Sequence, residues 1–232
     1  MTRVEEIAAN LQSVRERVAA AARAAGRAAD DVRLIAISKK MTAEDVRAAL
    51  AAGQRAFGEN YAQELRDKRA ALAAEPAPPE WHFVGPLQSN KVKYVAGQVA
   101  LVHTIDSIAL LEDFESRGVP QACLVQVNVA AEAQKRGVAP AELPALLDRF
   151  ATASHVRCAG LMLIPPFTDD PADARPHFAA LRALRDREAA RPRPRVDLHE
   201  LSMGMSGDFE LAIAEGATLV RVGTAIFGAR SR

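Results

Sequence analysis

Near the start of the chain, Val4, Ile7, Leu11, Val14 and Val18 recur at spacings of three and four. Side chains so spaced share one face of a helix, so residues 1–26 predict an amphipathic helix that ends near Gly26 and packs on the remainder. The pattern then changes to short apolar runs separated by helical stripes. The runs predict strands at 33–38, 55–58, 81–84, 99–103, 122–129, 156–164, 197–201 and 218–222. The stripes predict helices at 43–51, from Asn60 to about 73, at 88–96, from Asp106 or Ser107 onward, and at 141–153, 171–190 and 207–215, with a last short one near Thr224. Thr42 is a cap and Gly53 a stop for the 43–51 helix, and Pro76-Ala77-Pro78-Pro79 is a loop.

Runs such as Leu161-Met162-Leu163-Ile164 are apolar without alternation, as expected of strands buried on both faces. Eight βα units in 232 residues, with no linker, predict a single-domain (β/α)8 barrel over 1–232 carrying the extra N-terminal helix. An open doubly wound sheet is the alternative, but it usually needs fewer strands and the first βα turn lacks a GxGxxG fingerprint.

Composition narrows the function classes. Lys and Arg number 30 against 29 Asp and Glu, a net charge of +1 that argues against broad binding to nucleic acid or an anionic membrane. The basic stretch Arg191-Pro192-Arg193-Pro194-Arg195 reads as a solvated loop before a strand. No apolar stretch approaches the roughly 20 residues of a membrane span, and the N-terminus lacks a secretory signal. Cys123 and Cys158 sit in apolar runs and read as buried thiols of a reducing compartment. The expectation is a soluble, cytoplasmic protein without a metal site, and a monomer, since no large exposed apolar face demands a partner copy.

The candidate chemistry lies at three strand ends. Lys39 and Lys40 close the first strand, Ser202-Met203-Gly204-Met205-Ser206 follows the seventh, and Arg221-Val222-Gly223-Thr224 ends the eighth. Barrel enzymes carry active groups at the C-terminal ends of strands and commonly hold phosphate after strands seven and eight. Ser202 is expected just past its strand, Gly204 to permit close backbone approach, and Ser206 to open a helix. Gly223 and Thr224 are expected to offer N–H groups and a hydroxyl to an anion. Strand eight closes on strand one, so amine and phosphate cradle adjoin. Together they ask for an aldehyde bearing a phosphate, and pyridoxal 5′-phosphate is the obvious candidate. The amine must be neutral to react, which desolvation or the nearby charge of Arg221 favours. Alternation sends Lys39 and Lys40 to opposite sides, but strand one is apolar on both faces and does not choose between them.

Five segments carry a closer resemblance: Ala36-Ile37-Ser38-Lys39, Phe57-Gly58-Glu59-Asn60-Tyr61, Trp81 to Lys91, Ser202 to Ser206 and Arg221 to Gly228. They resemble the pyridoxal phosphate homeostasis protein family, which has the alanine racemase N-terminal type of barrel, and the likeness spans nearly the whole chain. The resemblance implies that Lys39 forms the internal aldimine. It implies that Ser202, Gly223 and Thr224 hold the phosphate, that Arg221 faces the pyridine nitrogen, that Asn60, Met162 and Met205 form pocket wall, and that His82 stands behind them. Lys135, in Gln134-Lys135-Arg136-Gly137, matches a family lysine assigned to transfer or regulation. The family often reads Ser-Lys-Thr-Lys-Pro, whereas Lys40 directly follows Lys39 here, so the second basic group is displaced.

Two functions from different classes compete. One is a carrier that binds pyridoxal 5′-phosphate and releases it to apo-enzymes, taking part in vitamin B6 homeostasis without being an enzyme. The other is a racemase or decarboxylase of the same barrel type. Racemisation normally needs a base on each face of the substrate. The only tyrosines, Tyr61 and Tyr94, fall within the βα units rather than on an added domain, which favours the carrier. A Schiff-base lyase or isomerase acting on a sugar phosphate is the third reading.

Overall fold

The computed structural model describes residues 1–130, 132 and 135–228. Eight parallel strands close in sequence order: β1 (Arg33–Ile37), β2 (Ala56–Glu59), β3 (Glu80–Phe83), β4 (Leu101–Ile105), β5 (Gln121–Gln126), β6 (Val156–Met162), β7 (Val196–Ser202) and β8 (Leu219–Val222). Closure is direct, with Arg33, Leu34, Ile35 and Ala36 of β1 in register with Leu219, Val220, Arg221 and Val222 of β8. The outer layer contains α1 (Arg3–Ala24), α2 (Ala43–Ala51), α3 (Ala62–Ala71), α4 (Ile108–Glu115), α5 (Leu143–Ala151), α6 (Arg175–Ala189), α7 (Phe209–Ala214) and α8 (Thr224–Phe227).

Several segments differ from the sequence expectation, among them β5 and β6, which end at Gln126 and Met162 before the expected 129 and 164. Residues 88–96 form a 3₁₀ turn over Ser89–Tyr94 instead of an α-helix. Val92 within the turn and Val95 just past it are fully buried. The expected 171–190 helix divides into a 3₁₀ turn, Pro171–Ala174, and α6, with Pro176 in the first turn, where no N–H is needed. β4 begins at Leu101, two residues later than the apolar run suggested.

Strand alternation sorts the core into two shells. Ile35, Ala56, Leu101, Leu124, Ala159, Met162 and Leu219 meet in the lumen, while their neighbours Ala36, Phe57, Val102, Val125 and Val220 face the helices. Cys123 and Cys158 lie side by side on β5 and β6, fully buried and unbridged, and burial pushes the Cys158 thiol up to about 12. Among the described residues no helix is long and apolar enough to cross a membrane.

The N-terminal helix is part of the scaffold of the site. Thr2 and Glu5 form a capping box that starts α1, and its stripe Ile7, Leu11, Val14, Val18 and Ala22 is buried. From α1, Arg3 Nη2 donates to the Phe227 carbonyl (2.8 Å) and Asn10 Nδ2 to that of Ile226 (3.1 Å). These bonds tie down the C-terminal end of α8, whose first residues reach the mouth of the barrel.

A second tie is Glu115 at the end of α4, which accepts from the backbone N–H groups of Ser154, His155 and Val156 at 2.8–3.2 Å. Burial raises its pKa, but those bonds outweigh it and hold the carboxyl down at about 2. A carboxyl depressed by folding contributes stability above its unfolded pKa and loses that contribution as pH falls towards the folded value. Glu115→Gln is therefore expected to unfold at lower denaturant than the parent at neutral pH, with the difference vanishing near about pH 2; chemical denaturation at the two pH values checks it.

Candidate functional site

Lys39, Asn60, Met205, Ser206, Gly207, Arg221, Gly223 and Thr224 converge on one cleft of about 280 Å³ at the C-terminal mouth of the barrel, walled by Ile37, Val84 and Ile164. Contributions from the ends of β1, β2, β6, β7 and β8 thus meet where a barrel carries its chemistry. The phase left open by the sequence is settled by the lumen shell. Ile35 and Ile37 belong to it, and Lys39 continues their parity into the mouth. Ser38 and Lys40 take the other parity.

That opposite parity holds the Lys39 turn in place. Ser38 Oγ donates to Glu59 Oε1 (2.7 Å), and Lys68 Nζ donates to the same oxygen (2.6 Å), to the Ser38 carbonyl (2.6 Å) and to Glu64 Oε2 (3.0 Å). Glu64 in turn accepts from the Lys40 N–H (2.8 Å), and Lys40 has φ +61°. A non-glycine residue in that region is strained and persists only when its surroundings impose it. Glu59 is fully buried; burial pushes its carboxyl above the usual range while Lys68 and Ser38 pull the other way. Nothing in the sequence pattern singled out Lys68, Glu64 or Glu59 as a brace.

On the opposite wall, Ser206 Oγ accepts from the N–H groups of Gly223 (3.3 Å) and Ala225 (3.4 Å). A single oxygen facing backbone donors at the start of a short helix occupies the kind of place a phosphate oxygen takes. Ser206 was expected to open a helix; α7 starts only at Phe209, and Ser206 remains in the loop beside the cleft.

Ser202 was expected past β7 as a phosphate ligand, but it closes that strand, is fully buried and does not line the cleft. Its Oγ accepts from Arg221 Nη1 (2.7 Å) and lies 2.8 Å from His103 Nδ1. The strand runs one residue further than its apolar run indicated and turns this hydroxyl into the lumen. Met162 likewise lies one layer down, packed with Leu124 and Leu219 instead of in the cleft wall. Gly204 is needed for a different approach: its φ is +92°, and a Cβ there would stand 2.6 Å from the Ala212 Cβ and 2.9 Å from the Phe209 Cα, so it lets the loop lie on α7.

Arg221 lines the cleft yet is almost fully buried, with Nη2 donating to the Leu163 carbonyl (2.9 Å) in addition to the bond to Ser202. Two of its five N–H groups are thereby used. Burial lowers its pKa to about 10, so it stays charged at neutral pH. Asn60 Oδ1 is buried with no hydrogen-bond partner, in a residue that lines the same cleft. A buried polar atom without a partner costs about 1–3 kcal/mol, and a bound molecule would satisfy it. Gly85 secures Asn60: a Cβ on it would lie 2.1 Å from the Asn60 carbonyl oxygen.

His82 is buried below the cleft, 2.9 Å from His103. Lys135 lies in an adjoining cleft of about 380 Å³ that shares Ile164, Met205 and Gly207 with the first. Its Nζ donates to the Pro165 carbonyl (3.1 Å) and pairs with Glu132 (2.9 Å); Gln134 of its motif lies outside the described residues. Lys40 contributes its backbone to the brace above and its side chain is exposed.

Comparison with known proteins finds relatives over nearly the whole chain. A protein of Aquifex aeolicus named pyridoxal phosphate homeostasis protein is 43% identical over 95% of this chain and 96% of its own length. One of the same name from Pseudomonas aeruginosa is 46% identical over 97% and 96%. This chain belongs to the pyridoxal phosphate homeostasis protein family. Residues 6–231 also match the family of alanine racemase N-terminal domains. PipY of Synechococcus elongatus, solved with pyridoxal phosphate bound, superposes with a TM-score of 0.83 at 38% identity, covering 96% of this chain and all of that one. The alanine racemase of Corynebacterium glutamicum shares the fold at a TM-score of 0.69 and 17% identity, and 61% of that chain is covered.

Proposed function

We propose that this chain binds pyridoxal 5′-phosphate covalently at Lys39 and serves as a carrier that takes up and releases it within the cell. The observation that carries the reading is the convergence of Lys39, Arg221, Gly223 and Thr224 on one cleft. The group fits the residues present. Its phosphate would take the N–H donors now facing Ser206 Oγ together with the Thr224 hydroxyl, its ring nitrogen would meet Arg221, and its polar substituents would satisfy Asn60 Oδ1. Bound pyridoxal phosphate supplies an aldehyde carbon that bonds reversibly to an amine. Lys39 offers that amine from a turn fixed by Lys68 and Glu64, and Arg221 stays ionised and orients the ring. The name borne by the curated relatives and the cofactor in the Synechococcus elongatus structure support the same reading.

The carrier reading is favoured over a racemase by the lining of the cleft. Among its described residues Lys39 supplies an amine on one side, and neither Tyr61 nor Tyr94 stands opposite as a second base. Incubation with an apo-enzyme that needs pyridoxal phosphate is expected to restore that enzyme's activity, while L-alanine keeps its configuration. Racemisation that depends on Lys39 would overturn the carrier assignment. Thr224→Ala is expected to weaken retention by about 1.5–3 kcal/mol, the contribution of one hydrogen bond to a charged group. Equilibrium dialysis checks this, and unaltered affinity would remove Thr224 from the phosphate cradle.

A further inference from the structure

The lumen of an eight-stranded barrel is normally filled with layers of apolar side chains, but here a polar chain climbs through it. At the N-terminal end of β3, Glu80 pairs through Oε2 with Arg33 (2.5 Å). Its Oε1 lies 3.1 Å from His82 Nε2, His82 Nδ1 lies 2.9 Å from His103 Nε2, and His103 Nδ1 lies 2.8 Å from Ser202 Oγ. Arg221 Nη1 completes the series at 2.7 Å from that oxygen. His82, His103, Ser202 and Arg221 are all at least nine-tenths buried.

The two ends dictate where each proton sits. A guanidinium only donates, so Ser202 Oγ accepts from Arg221, and its second lone pair and its own hydrogen are both left to face His103 Nδ1. An ionised carboxylate only accepts, so His82 Nε2 carries a hydrogen directed at Glu80. A neutral His82 then accepts at Nδ1 from His103 Nε2, and a neutral His103 accepts at Nδ1 from Ser202. With both rings neutral, a single arrangement satisfies every contact, each ring protonated on Nε2.

We propose that Glu80, His82, His103 and Ser202 form one polarised hydrogen-bond chain whose task is to fix the Arg221 guanidinium at the floor of the cleft. They are positioning residues for the face that Arg221 turns to the cofactor, an inference that rests on the pyridoxal phosphate reading above. With Arg221 at about 10 and Glu80 held down at about 2, chiefly by its bond to His82, the two ends keep opposite charges at neutral pH and polarise the chain between them.

The ionisable groups around His82 are Glu80, Arg33 and Glu200, and around His103 they are His82 and Arg221. Burial lowers both imidazoles, opposed at His82 by Glu80 and reinforced at His103 by the adjacent imidazole and the Arg221 charge. An added proton on either ring would place a second buried charge near Arg221.

Long-range proton–nitrogen NMR of the cofactor-free protein tests the arrangement without any substitution. Both buried rings are expected to show hydrogen on Nε2 and bare Nδ1, unchanged between about pH 5.5 and about pH 8. An Nδ1–H form, or titration of either ring in that window, would overturn the proposal whatever the cofactor does. Binding supplies the second arm. His103→Leu removes the acceptor of Ser202, whereas the amide oxygen of His103→Asn can still accept from it. The Leu variant is expected to bind pyridoxal phosphate about three- to tenfold more weakly and to shift the absorbance of the bound cofactor, with the Asn variant restoring most of both. Equal binding and spectra in parent and Leu variant would reject the positioning role. Loss of binding by the parent itself would strike the cofactor assignment instead. Should His103→Leu fail to fold, Glu80→Leu at the half-exposed end of the chain is expected to release the Nε2–H tautomer of His82, and an unmoved His82 spectrum would count equally against the chain.

Discussion

Lys39→Ala is expected to abolish the visible absorbance of the bound cofactor while leaving the barrel folded. The amine is the group in the cleft placed to bond an aldehyde, since Arg221 stays protonated and Lys40 has the opposite strand parity. The substitution lies at the cleft rim beyond the last residue of β1, outside the buried core. The apolar core is left intact, so the variant is expected to fold. The phosphate cradle is untouched, so the variant retains weaker, non-covalent binding with the spectrum of a free aldehyde. Unchanged visible absorbance in a folded Lys39→Ala protein would show that another group makes the bond.

The largest expected loss of stability comes from Lys68→Met. Glu59 is fully buried and its Oε1 receives both Lys68 and Ser38, while Oε2 has no partner. Removing the ammonium leaves a buried carboxylate without its counter-charge, which costs about 3–5 kcal/mol when one partner of a buried pair is deleted. The sign of the pH dependence follows from the direction of the Glu59 shift. Its folded pKa lies above the unfolded value, so between the two the native state holds a proton that the unfolded chain lacks, and stability falls as pH rises through that window. Without Lys68 the folded pKa rises further. The deficit of the variant is thus expected to be greater at about pH 8 than at about pH 5.5, measured by urea unfolding. Adding Glu59→Gln to Lys68→Met is expected to recover part of the loss, because the orphaned charge disappears. A pH-independent deficit of under about 1 kcal/mol would mean that the pair is not a buried charge pair in effect. Even in folded variant protein the Lys39 turn loses its anchor at the Ser38 carbonyl, so cofactor retention is expected to drop alongside stability.

The barrel was legible because its signals are local. Apolar runs and helical stripes alternate eight times, and the loops carrying Gly204 and Gly223 sit after the last two strands. Lys39, Arg221, Gly223 and Thr224 were therefore found at the ends of the elements that carry them. What the sequence hid depends on parity and strand length. A strand apolar on both faces gives no sign of which lysine turns inward, and only the closed lumen, with Ile35 and Ile37 inside, places Lys39 in the mouth. Ser202 and Ser206 stand elsewhere than their strand and helix limits suggested for a related reason. β7 runs one residue past its apolar stretch, which buries the first serine on Arg221 and leaves the second beside Gly223. His103 carried a signal that went unread: two residues after Leu101 on β4, it is a polar side chain in lumen phase. The Lys68–Glu59 brace spans different elements and has no sequence period at all.

The central claim, that one coenzyme bridges Lys39 and the cradle at Gly223 and Thr224, is tested most directly by reducing the loaded protein with borohydride and mapping the labelled peptide. The account expects one phosphopyridoxyl group per chain, on Lys39, with the visible absorbance lost on reduction. A label on Lys40, Lys68 or Lys135, or no label at all, would contradict it.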